Sequence, residues 1–234
     1  MTTKRSPNDF PAAVVFDFDG VIADTERMHF DAFNRALAAQ ALPPFSWEDY
    51  VATYIGFDDR GVAAEVFRRA GLRDPARARR LAADKAAAFQ ELIAAGVAPF
   101  PGVRELLTAL RGRFPLALCS GALRADIRPI LAATRLADAF EEMVTADDVP
   151  AAKPDPAGYR LALRRLEARH GRPLPPQQCL AIEDTMAGVA AAHGAGLRTL
   201  VVTNSHPAAH FPPHVRAITE TLAGWTPERL ARLA

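Results

Sequence analysis

Charge of one sign, long apolar runs and cysteine are all scarce in this sequence. The formal net charge is only +1, so no overall field gathers a polyanion and no nucleic-acid partner is expected. Arginines do cluster, at Arg68-Arg69, from Arg77 to Arg80 and at Arg164-Arg165. Neighbouring acids dilute them, and they read as solvated helix faces. No segment reaches the roughly 18 apolar residues of a membrane span, and no apolar stretch precedes Phe10. Neither a membrane partner nor a leader is therefore expected, and the location reads as cytoplasmic. The two cysteines, Cys119 and Cys179, sit in apolar strand-like runs, where a small buried thiol is commoner than a nucleophile or a disulfide. Lysine is nearly as rare: Lys4, Lys85 and Lys153 stand against 25 arginines. A lysine at a chemically suggestive position therefore carries information, because elsewhere this chain supplies positive charge as arginine.

What is present describes an α/β protein. Short apolar runs bounded by turn residues occur at Ala13–Phe16, Leu116–Cys119, Met143–Thr145, Leu180–Ile182 and Thr199–Val202, separated by segments of helical periodicity. That alternation predicts a doubly wound parallel sheet covered by helices on both faces. About a hundred residues separate the first two runs, where a single crossover unit needs ~30. The interval, rich in Ala, Leu, Arg and Glu, predicts an inserted helical domain with helices over Thr25–Ala39, Arg60–Ala70 and Pro75–Ala95. Pro99-Phe100-Pro101-Gly102 marks the return to the core. The expected organisation is a core of residues 1–26 and 98–234 with a helical cap over 27–97. His206, His210 and His214 are spaced for a metal-binding helix face, but Pro207, Pro212 and Pro213 forbid that helix and predict a surface loop.

The chemistry concentrates at the predicted strand ends. Asp17-Phe18-Asp19-Gly20 follows the first run and places two carboxylates where open α/β sheets build their sites. Two such charges at 4 Å repel by about 4 kcal/mol at an effective dielectric of 20, so a cation is needed to keep both ionised. Taken alone, Asp-x-Asp-Gly also describes an ordinary turn. The other strand ends decide the matter: Ser120-Gly121 offers a hydroxyl and an amide for phosphate oxygens, Lys153-Pro154 an ammonium kept out of a helix by the proline, and Glu183-Asp184-Thr185 a second acidic pair.

In this order, Asp17-x-Asp19-Gly20, Ser120, Lys153 and Glu183-Asp184 resemble the four-motif signature of the haloacid dehalogenase superfamily. The helical insert after the first motif is similar to the β-phosphoglucomutase and phosphoglycolate phosphatase branch. The resemblance implies a Rossmann-like core, Asp17 as nucleophile, Asp19 as general acid and base, and Mg²⁺ held by Asp17, the Asp19 carbonyl and Asp184, with Glu183 a ligand or an acceptor behind it. Ser120, Gly121 and Lys153 would position and neutralise the phosphoryl group. Four cap positions also resemble family sites: Thr25 and His29, one helical turn apart, Lys85, and Gly56 of the specificity loop; Arg60 lies shortly after Gly56 and is a further candidate for substrate binding. From the residues alone, His29 equally fits a buried helix histidine and Lys85 a solvated face.

The sequence also departs from the mutase pattern. Asp59 stands where an arginine would bind a second phosphate, and Ala122-Leu123 replace a polar pair, leaving Arg60 or Arg124 as substitutes. The expected function is therefore Mg²⁺-dependent hydrolysis of a small phosphate monoester, a sugar phosphate or phosphoglycolate, by a monomer or weak homo-oligomer. A phosphomutase is the alternative. A silent binding protein on the same fold would have lost a motif residue, and none is lost. Dehalogenation gives Asp19 no purpose, and phosphonate cleavage would have to use Lys85, the one cap lysine.

Overall fold

The computed structural model describes residues 11–55, 57 and 59–233. The described chain forms two compact units, one within Met1–Ala23 and Ala98–Ala234, the other within Asp24–Val97.

The first unit is built on a six-stranded parallel sheet in the order β3-β2-β1-β4-β5-β6. Its strands are β1 (Val14–Phe16), β2 (Leu116–Cys119), β3 (Glu142–Val144), β4 (Leu180–Glu183), β5 (Arg198–Val202) and β6 (Ala217–Thr219). The central strands are apolar along their length because helices cover both faces of a parallel sheet. Val14, Val15 and Phe16 lie in register with Leu116, Ala117 and Leu118 on one side and with Leu180, Ala181 and Ile182 on the other. The helices are α1 (Glu26–Ala39), α2 (Trp47–Thr53), α3 (Asp59–Arg69), α4 (Pro75–Ala95), α5 (Val103–Leu110), α6 (Arg124–Ala133), α7 (Ala157–His170), α8 (Met186–Gly194) and α9 (Pro227–Ala231). One core cluster joins Val15, Ala117, Cys119 and Ala181 of the sheet to Tyr159, Leu163 and Leu166 of α7 and Ala191-Ala192 of α8. Full burial of each large apolar side chain there contributes about 1.5–3 kcal/mol. The order of the sheet reverses between β1 and β4, so the crevice outside their carboxyl ends is the switch point at which doubly wound folds bind ligands.

Within the second unit, α1 through α4 bury Phe30, Phe33, Leu37, Tyr50, Tyr54, Val62, Val66, Phe67 and Leu81 in a core of their own. The ends of α4 follow from its sequence: Asp74 caps the start by accepting the Arg77 amide at 2.9 Å, Pro75 occupies the first turn, and Gly96 at φ 132° ends the helix.

Several boundaries differ from the sequence reading by one residue, and β6, α2 and the five-residue α9 were not anticipated. The third strand spans Glu142–Val144 rather than Met143–Thr145. β6 escaped because none of its three residues is buried, Ile218 being exposed, and they form no apolar run. α2 is a seven-residue helix set by Ser46, which accepts the Asp49 amide. The histidine-bearing tail is irregular apart from one 3-10 turn at Ala208–His210, with Phe211 packed on Val189 and Val201. Both cysteines are buried and free. No helix among the described residues is long and apolar enough to cross a membrane.

Candidate active site

Asp17, Glu183 and Asp184 converge at the switch point, each offering an oxygen within 4.8 Å of the others. Asp17 follows β1 and its amide donates to Ile182 O at 2.9 Å, which fixes the turn that carries it against β4. Lys153 bridges the acids: its Nζ donates to Asp17 Oδ1 and to Glu183 Oε1, both at 2.6 Å.

Glu183 is completely buried and fully used. Its Oε1 also accepts the Tyr159 hydroxyl at 2.7 Å. Its Oε2 accepts the Asp184 amide at 3.1 Å, with the Thr185 amide and hydroxyl at 3.4 and 3.3 Å. Gly188 makes room for this arrangement, since a Cβ there would fall 1.9 Å from Oε1. Bonded in this way, Glu183 anchors Lys153 while remaining one of the three acids that face a common point.

Asp184 has the opposite character. Its Oδ2 accepts the Ser205 hydroxyl, while Oδ1 is buried with no hydrogen-bond partner. A buried carboxylate oxygen without a donor is costly unless a cation meets it. Asp17 supplies a second carboxylate to the same space, and an all-oxygen set of this kind suits a hard divalent cation. The site therefore passes a chemical test of fit for a metal.

Asp19 stands beside Ser120, whose hydroxyl donates to Asp19 Oδ2 at a long 3.4 Å and accepts the Ala122 amide at 2.9 Å. Gly121 is exposed. Gly20 is required by both conformation and space: φ is +72°, and a Cβ would lie 1.8 Å from Asp184 Oδ2.

Burial dominates the protonation of these groups. It raises Asp17 to about 8, with Glu183 and Asp19 adding to the shift and Lys153 opposing it. Burial, then Asp17 and Glu183, raise Asp184 well above the carboxylate range. Burial alone would pull Lys153 down, yet Asp17 and Glu183 hold it well above the ordinary lysine value. A divalent cation reverses the balance for the carboxylates by favouring their ionised forms. Burial pushes the Cys119 thiol up to about 12, so it is no nucleophile.

Two of the cap candidates, His29 and Lys85, meet inside the helical unit. Thr25 is buried at the start of α1, and its carbonyl accepts the His29 amide at 2.8 Å. Lys85 is 1% exposed, which overturns the solvated-face reading. Its ammonium donates to Asp59 Oδ1 and Oδ2 at 2.6 and 2.8 Å and to His29 Nδ1 at 2.7 Å. An ammonium has no acceptor, so Nδ1 accepts and His29 is neutral with its proton on Nε2. Burial, followed by the Lys85 charge, lowers the His29 pKa well below its ordinary value. His29 also stacks on Phe89, with ring centroids 4.1 Å apart. Arg60 is exposed, and Gly56 lies outside the described residues. Arg124, a candidate second phosphate clamp, is already engaged by Asp148 Oδ2 at 2.6 Å and Met143 O at 3.2 Å.

Sequence reasoning missed Tyr159, Asn204 and Ser205. Asn204-Ser205 follows the carboxyl end of β5, the signal used for the other motifs, and was recoverable on that ground. Tyr159 lies inside α7 and has no such signal.

A doubly wound sheet with acids, a hydroxyl and a lysine at its switch point defines an α/β enzyme that handles phosphate. The chain belongs to the haloacid dehalogenase-like hydrolases, whose family model matches residues 11–196. Protein CbbY of Rhodobacter capsulatus is 36% identical over 202 residues, covering 83% of this chain and 86% of that protein. The phosphorylated carbohydrates phosphatase of Thermotoga maritima is 31% identical over 191 residues, covering 80% and 83%. Among solved structures, a mutant CbbY from Rhodobacter sphaeroides in complex with xylulose-(1,5)bisphosphate aligns with a TM-score of 0.79 at 28% identity, covering 91% of this chain and 95% of that one. With phosphatases among its relatives, the chain is a phosphoric monoester hydrolase.

Proposed function

We propose that this enzyme hydrolyses a small phosphorylated sugar through an aspartyl phosphate on Asp17, with Mg²⁺ as its cation. The observation that carries the reading is the asymmetry of the buried acids: Lys153 holds Asp17 and Glu183, while Asp184 Oδ1 has no donor. Asp17, Asp184 and the Asp19 carbonyl would hold the ion, with Glu183 as the acceptor that seats Lys153. When bound, the cation would offset the charge of an anionic nucleophile meeting an anionic phosphate.

The chain's own groups supply the rest. An Asp17 carboxylate oxygen attacks phosphorus as the ester P–O bond breaks, and Asp19 gives its proton to the departing alkoxide. Asp19, now a carboxylate, takes a proton from water as that water attacks the acyl phosphate, freeing Asp17 and inorganic phosphate. Lys153 offsets charge throughout, and Ser120 with the Gly121 segment orients the transferring oxygens.

Among the cap candidates, Lys85, His29 and Asp59 are committed to one another. Exposed Arg60 is therefore the recognition residue to test. Two observations favour a phosphatase over a mutase: Asp59 is paired with Lys85, and Arg124 with Asp148. The relatives favour sugar phosphates as the substrate class.

A panel of xylulose 1,5-bisphosphate, fructose 1-phosphate, phosphoglycolate and p-nitrophenyl phosphate, with phosphate release and isomerisation both followed, tests the proposal. Sugar phosphates should give the highest kcat/KM, with no isomerised product. Arg60→Ala should raise KM for the best sugar more than for p-nitrophenyl phosphate. Net isomerisation without phosphate release would overturn the phosphatase reading, and equal Arg60→Ala effects on both substrates would remove Arg60 from recognition.

A further inference from the structure

Asp184 has one oxygen to spare, and the loop after β5 decides which. Ser205 Oγ donates to Oδ2, leaving Oδ1 buried and without a partner. Oδ2 is confined from a second side by Gly20, where even a methyl group would sit 1.8 Å from Oδ2 and 3.0 Å from Ser205 Oγ. The neighbouring Asn204 Nδ2 donates to Gly20 O at 2.7 Å. Asn204-Ser205 thus grips both the turn that carries Asp17 and Asp19 and the carboxylate that follows β4.

A carboxylate free to rotate offers a cation one oxygen or both. With Oδ2 occupied and walled in, Asp184 offers Oδ1 alone. The distinction bears on ion selectivity, because Ca²⁺ takes 6–8 oxygens and accepts bidentate carboxylates, whereas Mg²⁺ demands a compact octahedron at about 2.0–2.1 Å. We propose that Ser205, seated by Asn204, is a positioning residue that keeps Asp184 a one-oxygen ligand and thereby sets the enzyme's preference for Mg²⁺ over Ca²⁺. The inference rests on reading the acid cluster as a cation site.

Calorimetric titration of the full-length, substrate-free protein with Mg²⁺ and with Ca²⁺ separates the two ideas. Ser205→Ala should lower the ratio of the Ca²⁺ to the Mg²⁺ dissociation constant by about tenfold, the lower end of what removing a ligand's hydrogen-bond partner costs. Ser205→Thr, which keeps the hydroxyl, should restore it. Asn204→Ala should shift the ratio in the same direction by a smaller factor, and circular dichroism verifies that each variant is folded. An unchanged ratio in folded Ser205→Ala, with binding lost in Asp184→Asn, would overturn the positioning role and leave the cation site standing. Undiminished Mg²⁺ binding by Asp184→Asn would overturn both.

Discussion

Lys153 illustrates how much one residue type can specify. Its single nitrogen meets two carboxylate oxygens at 2.6 Å each in a pocket that leaves the side chain 15% exposed. A guanidinium carries the same charge, but its planar fork is wider and cannot place one donor between those oxygens. The chain's bias to arginine everywhere else makes the exception legible from sequence, as it does for Lys85. Lys153→Arg should fold normally and lose about 10²-fold or more in kcat with p-nitrophenyl phosphate; a loss under threefold would mean that charge alone suffices there. The role of Glu183 was less legible. Sequence leaves it a ligand or an acceptor, because saturation of a carboxylate depends on Tyr159 and Thr185 arriving from α7 and from the start of α8.

At the scale of the element, the helical unit is tied together by one buried ion pair. Lys85 on α4 meets Asp59 at the start of α3 and His29 on α1, with its ammonium 4.6 Å from the Phe89 ring centroid. Asp59→Ala leaves a buried ammonium with only the imidazole for support and should cost about 3 kcal/mol, the lower end for breaking a buried pair because Asp59 is partly exposed. Lys85→Met removes the charge and should cost less. Urea unfolding of the two variants checks the order, and a smaller loss for Asp59→Ala would contradict it.

His29 adds a pH dependence with a defined sign. Its folded pKa is depressed, so the unfolded chain takes up a proton that the folded chain refuses. The stability it contributes is complete above the unfolded value near 6.5 and is lost as pH falls below it, by up to about 1.4 kcal/mol per pH unit. The raised pKa of Asp17 acts in the opposite sense in the metal-free protein, so the test is a difference. Between pH 6.5 and 5, His29→Gln should lose less stability than wild type, and parallel curves would remove His29 from the account. The helices themselves were readable where caps flank a long periodic run, as with Asp74, Pro75 and Gly96 around α4. They were not readable in α2, whose seven residues hold too few turns to show a period.

Across the whole molecule, five separated segments meet at the switch point of one sheet: Asp17–Asp19, Ser120, Lys153, Glu183-Asp184 and Asn204-Ser205. Four were legible because acid, hydroxyl and ammonium each follow a strand or a turn, and a doubly wound topology brings all such ends to one edge. Their pairings were not legible, since a distance such as that from Lys153 to Asp17 is set by strand order and register rather than by local sequence. One margin of the sheet was also hidden: β3 was legible to within one residue, but β6 has three residues, none of them buried. Short edges offer little template for edge-to-edge pairing, and on β3 the Met143 carbonyl is already taken by Arg124 and Arg165.

The central claim is that Asp17 carries the phosphoryl group. Rapid acid quench of the Mg²⁺-loaded enzyme with a labelled phosphate ester, followed by peptide mapping, tests it most directly. The label should appear on the peptide containing Asp17 within one turnover and disappear in Asp17→Asn, which should also lose about 10⁴-fold or more in turnover. Turnover retained by Asp17→Asn, or label mapped to any other residue, would contradict the account.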